Sequence, residues 1–272
     1  ALPSAFAHRT ERASRRRDDP CRKRKHASTV AKPSPGALER VHARFEEEQG
    51  EADSMALMSD PTVVRSVASY DPRACRRLFG TFAANHVRQV PTLVQARGYF
   101  LPAEARAASA DRFSDTTPAL LEAWDGFARS ADPEALAAGA AVYRRQLAAL
   151  RDMQDAGVVL MIGTDASSEA WVFAGSSVHD EMELFVAAGL SPLEALQSAT
   201  LHPLRYVGRM QGGRAIAPGE IADLVLLDAD PRQDIRHTRS IQAVIKHGKL
   251  FDRAALDALL QRARAAAQTG GT

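Results

Sequence analysis

Cysteine is nearly absent from this 272-residue chain: Cys21 and Cys75 are the only two, and they lie far apart. That spacing suits neither a disulfide scaffold nor a cysteine-based zinc site. No apolar run approaches the roughly 18 residues needed to cross a membrane. The opening ALPSAFAH is short and has no basic leader, so no signal peptide is expected and the cytoplasm is the default compartment. The chain starts at Ala1 rather than Met, as a processed or truncated chain would. What remains is ordinary globular composition, 45% hydrophobic and 25% charged with a net charge of +2. The length allows one large α/β domain or two smaller ones, with a sizeable core.

The first fifty residues stand apart. Between Arg9 and Lys25 there is no Leu, Ile, Val, Phe or Trp, while RRR occupies 15–17 and RKRK occupies 22–25. Such a segment cannot bury enough apolar surface to offset its ordering entropy, and disorder is expected. Its basic runs fit a solvated tail or an arm that contacts nucleic acid. The lack of aromatics between Arg9 and Lys25 argues against base stacking and leaves phosphate attraction as the mode.

Further on, ALERVHARFEEEQ reads as a charged helix and DPRACRRLFGTFAANH as another. QVPTLVQA reads as a short β-type run around Pro91 to Val94, a Pro suiting a strand's first position. PEALAAGAAVYRRQLAALRDMQDAG is the clearest helix, with Leu136, Ala140, Tyr143, Leu147, Leu150 and Met153 forming one apolar stripe. Asp132 and Pro133 open it and Gly157 closes it. The run Val158–Ile162 follows at once and reads as a strand buried on both faces. HDEMELFVAAG and SPLEALQSATLHPLRYVG are two more helices, the second opened by the capping box of Ser191 and Glu194. Helix, strand, loop and helix is the unit of a (β/α) barrel or a doubly wound sheet. IADLVLLDADP and SIQAVIKHGKLF then read as a small β layer, and RAALDALLQRARAAA as a closing helix.

The apolar run 158–162 passes through Gly163 and Thr164 to Asp165. Chemistry in parallel α/β folds gathers at the carboxyl ends of strands, where loops converge. Asp165 is placed there for metal ligation or general-base work, or for capping loop amides.

From about Ser69 to Ala258 the sequence resembles the C-terminal part of the amidohydrolase superfamily, in its imidazolonepropionase-like branch. VPTLV at 90–94, GVVLMIGTDA at 157–166 and GSSVHDEMELFVAAGLSPLEALQSAT at 175–200 carry the resemblance. PGEIADLVLLDADPRQDI at 218–235 and the terminal IQAVIKHGKLFDRAAL extend it. The resemblance implies an α/β fold: a metal-dependent (β/α)8 barrel (TIM barrel) flanked by a small β-sandwich. It further implies hydrolysis of an amide, peptide or cyclic C–N bond in a small-molecule substrate. By the family's pattern Asp165 would bind the metal, zinc by preference, and relay a proton from the metal-held water to the leaving nitrogen. His179 matches a histidine common in this branch and would contact substrate or orient its loop; it also reads as a polar residue at a helix start.

The departures are as informative. The family's site calls for a His-x-His pair, a Lys or acid, and two further histidines, yet no His-x-His occurs here. The histidines are His8, His26, His42, His86, His179, His202, His237 and His247; the lysines are Lys23, Lys25, Lys32, Lys246 and Lys249. None of the lysines follows a barrel-type strand. His86 precedes its strand, His202 lies in a helix, and His237 and His247 lie in the β layer. A catalytic zinc takes about three protein ligands and a water, and Asp165 alone is convincing.

The sequence is therefore expected to hold the last two barrel units at 51–207, the C-terminal strands of the sandwich at 208–252 and a terminal helix at 253–272. Residues 1–50 are expected to be a basic, non-native or disordered segment left by truncation or a frame error. Such an enzyme would be inactive alone unless a separate polypeptide or a homo-oligomer completed it. The alternative is a non-enzymatic remnant whose basic arm binds nucleic acid or an acidic partner.

Overall fold

Residues 67–166, 170–209 and 216–269 are described by a computed structural model. The basic segment and the helix expected at 37–49 lie outside the described residues. The described residues form two compact units: one contains residues 67–89 together with Asp152–Leu160, the other Val90–Arg151 and the described residues from Met161 onward.

In the first unit Asp71 accepts hydrogen bonds from the amides of Arg73 and Ala74 at 2.8 and 3.3 Å, with Pro72 next to it. Helix α1 (Pro72–Ala84) thus starts where its cap dictates. Its buried face is Phe79 and Phe82, one turn apart. Strand β1 (Arg88–Gln89) pairs in parallel with β2 (Val159–Leu160), Arg88 opposite Val159 and Gln89 opposite Leu160. The Tyr70 hydroxyl donates to Asp152 at 2.5 Å, tying the segment ahead of α1 to the chain that leads into β2.

Two strand expectations need correction. The run Pro91–Val94 is not a strand: β1 ends at Gln89, Thr92 enters the left-handed region at φ 48°, and a helix begins at Leu93. Pro91 has no N–H to offer a ladder, and the Leu93 and Val94 amides are bound by a buried carboxylate instead. The run 158–162 is not buried on both faces either. The strand itself is only Val159–Leu160, and Val158 and Leu160 are buried while Val159 is 36% exposed.

The second unit opens with α2 (Leu93–Phe100), α3 (Pro102–Ala108), a 3-10 turn (Ala110–Asp115) and α4 (Pro118–Ser130). Helix α5 (Pro133–Asp155) begins with Asp132 accepting from the Ala135 amide at 3.1 Å. Its buried residues are Gly139, Val142, Tyr143 and Leu150, so the expected stripe is turned toward Gly139, where the Phe100 ring packs. Helices α6 (Ser177–Ala187), α7 (Pro192–Ala199) and α8 (Leu201–Tyr206) follow. The Ser191–Glu194 capping box is present, and Thr200 divides the expected single helix into α7 and α8.

Aromatics make up only 6% of the chain, but the core of this unit gathers several of them. Trp124, Trp171 and Phe173 pack with Ala105 and Ala170, and the Trp124 ring centroid lies 5.4 Å from Trp171 and 5.3 Å from Phe173. Strands β3 (Leu224–Leu227), β4 (Ile241–Lys246) and β5 (Lys249–Phe251) form an antiparallel sheet in that order. His247 and Gly248, at φ 49° and 76°, make the tight β4–β5 turn. Helix α9 (Arg253–Thr269) closes the chain, and Arg264 pairs with Asp115 at 2.6 Å. No closed barrel forms among the described residues.

Two helical glycines should respond to Ala in opposite directions. A Cβ at Gly98 would lie 2.2 Å from the Ala170 carbonyl oxygen, a backbone atom, whereas one at Gly80 meets nothing within 4 Å. Urea unfolding followed by circular dichroism should show Gly98→Ala destabilising by about 1–3 kcal/mol. Gly80→Ala should instead stabilise by about 0.5–1 kcal/mol through helix propensity.

Candidate functional site

In the second unit the segment 90–92 meets the segment 161–166. The contact is close: a Cβ at Gly163 would lie 2.4 Å from Val90 Cγ1 and 3.7 Å from Thr92 Cγ2. A side chain at position 163 would have to displace the Val90 side chain, so glycine lets Val90 and Thr92 pack directly on this backbone. The Ile162 amide donates to the Ser198 carbonyl at 3.0 Å, which anchors the second segment on α7. Asp165 then turns left-handed at φ 50° and is exposed. Thr92 is left-handed as well, a conformation that costs a β-branched residue about 1–3 kcal/mol and is retained where the surroundings enforce it.

The enforcing group is in the first turns of α6. Glu181 is fully buried, and its two carboxylate oxygens accept from the Leu93 and Val94 amides at 2.8 and 2.6 Å. It serves as the cap that Thr92, with no side-chain cap bond of its own, does not provide. Burial pushes the Glu181 carboxyl up to about 8, outweighing the two amides that pull it down. The preceding residue, Asp180, accepts from Arg112 Nη1 at 2.5 Å on one oxygen and from Arg239 Nη2 at 2.6 Å on the other. Arg112 and Asp180 are both 6% exposed, and Arg112 also donates to the Ala108 carbonyl. A buried pair this well hydrogen-bonded is costly to break from one side.

His179 comes one residue earlier. Its Nδ1 lies 2.9 Å from Thr238 Oγ1, on a 3-10 turn (Ile235–Arg239), and burial followed by the Arg239 charge lowers its pKa. Successive helical residues project about 100° apart, so three neighbours in sequence reach three different elements. His179 is thus engaged with Thr238, while Asp165 stands on the loop beyond β2.

The other histidines are dispersed. His86 precedes β1 at φ 53°, His202 is in α8, and His247 is in the β4–β5 turn. His237 is in the 3-10 turn rather than the sheet, its Nδ1 2.8 Å from the Asp230 carbonyl. Among the described residues no group of three His, Cys, Asp or Glu could hold a metal. The donor set described here therefore does not fit a metal centre by itself.

Sequence reasoning did not single out Asp180, Glu181, Arg112 or Arg239. One signal was available: Ser177, Glu181 and Phe185 recur every fourth residue on a buried face, so Glu181 is an acid inside an apolar stripe.

The model of the Amidohydrolase family matches residues 80–251, more than half the chain. "Adenine deaminase 2" from Jannaschia sp. (strain CCS1) is 34% identical over 84 residues, covering 31% of this chain and 13% of that protein. "Probable imidazolonepropionase" from Nematostella vectensis is 32% identical over 106 residues, covering 37% of this chain and 24% of that protein. The solved structure of the bottromycin amidohydrolase superposes with a TM-score of 0.53 at 26% identity, over 65% of this chain and 40% of its own. The chain thus matches less than a quarter of either curated relative's length.

The Glu181 carboxyl binds its proton more tightly in the folded protein than when unfolded. Its contribution to stability is therefore complete below about pH 4.5 and is lost as pH rises through about 8. His179 acts in the opposite sense, its contribution lost as pH falls below 6.5 toward its lowered folded value. The stability difference between the native chain and Glu181→Gln should shrink steadily from pH 5 to pH 9 in denaturant titrations. A pH-independent difference would place the Glu181 pKa near its ordinary value.

Proposed function

The chain belongs to the amidohydrolase family, and from that premise we propose that it is the C-terminal part of a metal-dependent enzyme that hydrolyses C–N bonds. In this reading the parallel β1–β2 pair and its helices are the last two units of a (β/α)8 barrel. The three-stranded sheet β3–β5 belongs to the accompanying small β-sandwich. The match over residues 80–251 is the observation that carries the reading. The bottromycin amidohydrolase superposition and the relatives named for deaminase and imidazolonepropionase activity support the same class of reaction. A small-molecule amide, cyclic amide or peptide is the proposed substrate class.

Within that reading Asp165 is the catalytic carboxylate and metal ligand this part contributes, on a loop beyond a parallel strand. The metal is a divalent cation, zinc by the family's habit. The remaining ligands come from residues other than those described, from further polypeptide or from a second copy, and no hydrolytic step is assigned to the described residues alone. His179, held by Thr238, is proposed to orient the segment that precedes α6 and to border the substrate. The non-enzymatic reading rests on the basic arm, which lies outside the described residues. Among the described residues no helix is long and apolar enough to cross a membrane.

Bound zinc per chain, measured after expression with added zinc, separates the possibilities. Near-zero metal is expected in both the native chain and Asp165→Ala, because one carboxylate cannot hold the ion. About one zinc per native chain, lost in Asp165→Ala, would show that this polypeptide assembles a working centre unaided.

A further inference from the structure

A cavity of about 250 Å³ opens in the second unit, and Asp165 is not among its lining residues. Arg97 of α2, Arg112 of the first 3-10 turn, and Arg236 and Arg239 of the second line it, with Asp180 and Glu183 of α6. We propose that this cavity binds a small oxyanion, the carboxylate or phosphate group of a low-molecular-weight ligand, with Arg97 as its principal contact.

Most of the charges lining the cavity are already satisfied. Asp180 has a guanidinium on each oxygen, from Arg112 and Arg239. Glu183 is engaged by Arg239 at 2.9 Å. Arg112 reaches the third lining acid, Asp111, at 3.4 Å. Arg236 is held by Asp234, two residues back, at 2.5 Å and is 73% exposed at its side chain.

Arg97 has none of this. Its side chain makes no hydrogen bond or ion pair among the described residues, and its Nε is buried without a partner. Its charge is felt by Glu181, whose oxygens are already taken by the Leu93 and Val94 amides. Its charge is also felt by Tyr143, whose buried hydroxyl likewise has no partner. A buried donor without an acceptor costs about 1–3 kcal/mol, more when the group is charged. That Nε is closed to solvent; a planar guanidinium presents its terminal donors in a fork that matches carboxylate and phosphate oxygens, and these, with no acceptor among the described residues, are the groups an oxyanion in the cavity engages. Asp234 offsets Arg236, and the lining acids hold Arg112 and Arg239, so Arg97 is the lining guanidinium without a carboxylate partner among the described residues and is the group that draws an anion into the cavity.

The site is independent of the hydrolytic reading and is tested by binding alone. Acetate and inorganic phosphate are titrated separately into the full chain by isothermal calorimetry, with chloride holding ionic strength constant. Saturable binding of either is expected at about millimolar concentration, the tighter one naming the ligand's head group. Arg97→Gln should weaken it by about tenfold or more, and Arg236→Gln by several-fold. Arg236 is exposed, so its replacement keeps the fold and carries the test if Arg97→Gln does not fold. Arg129→Gln, whose arginine is exposed, pairs with Glu122 and does not line the cavity, should bind like the native chain. No saturable binding in the native chain would overturn the proposal, as would unchanged affinity in a folded Arg97→Gln or Arg236→Gln.

Discussion

The second unit depends on one buried carboxylate. Glu181 receives the Leu93 and Val94 amides, and those two bonds decide that the chain after Pro91 becomes a helix. They hold Thr92 in a conformation it would not adopt alone, and Thr92 with Val90 packs over Gly163, two residues before Asp165. The acid is tolerated at this place because each oxygen faces a helix N-terminal N–H, which satisfies its polar atoms, while burial keeps its proton bound to higher pH than usual. The position of the Asp165 segment thus rests, through a short chain of contacts, on a residue distant in sequence.

Asp180 and His179 extend the same device. Asp180 draws Arg112 and Arg239 onto one side chain, linking both 3-10 turns to α6, and His179 adds the bond to Thr238. The first two turns of α6 thereby join α2, the helical segment before α4, and the turn that leads into β4. There is a division between these acids: the buried ones fix geometry, and Asp165 is exposed on the loop after β2. The cavity around Arg97 is a by-product of that division, since the carboxylates near it are already engaged.

Much of this was legible in the sequence. Asp71 before Pro72 and the Ser191–Glu194 box each follow from local side-chain chemistry, and each helix starts where that chemistry places it. SIQAVIKHGKLF, which reads as one β run, is instead two strands, because His247 and Gly248 turn left-handed between them. The motifs at 157–166 and 175–200 also pointed to the amidohydrolase family, to which the chain belongs. The run VPTLV misled because its β-branched and apolar residues resemble a strand, while the partner that makes it a helix start is 88 positions away. The run at 158–162 misled for a related reason: burial on both faces depends on neighbouring layers, and sequence periodicity does not reveal whether those layers are present. Glu181 was overlooked because an acid in an amphipathic helix ordinarily reads as surface. Only its four-residue spacing from Ser177 and Phe185 betrays it.

Amide hydrogen exchange at Leu93 and Val94 tests the central role of Glu181 most directly. Both amides lie at a helix start, where no intrahelical partner exists and exchange would ordinarily be fast. The account predicts strong protection at both in the native chain, lost at both in Glu181→Ala while amides within α4 keep theirs. Rapid exchange of Leu93 and Val94 in the native chain would contradict it, and the positioning of the Asp165 segment would need another cause.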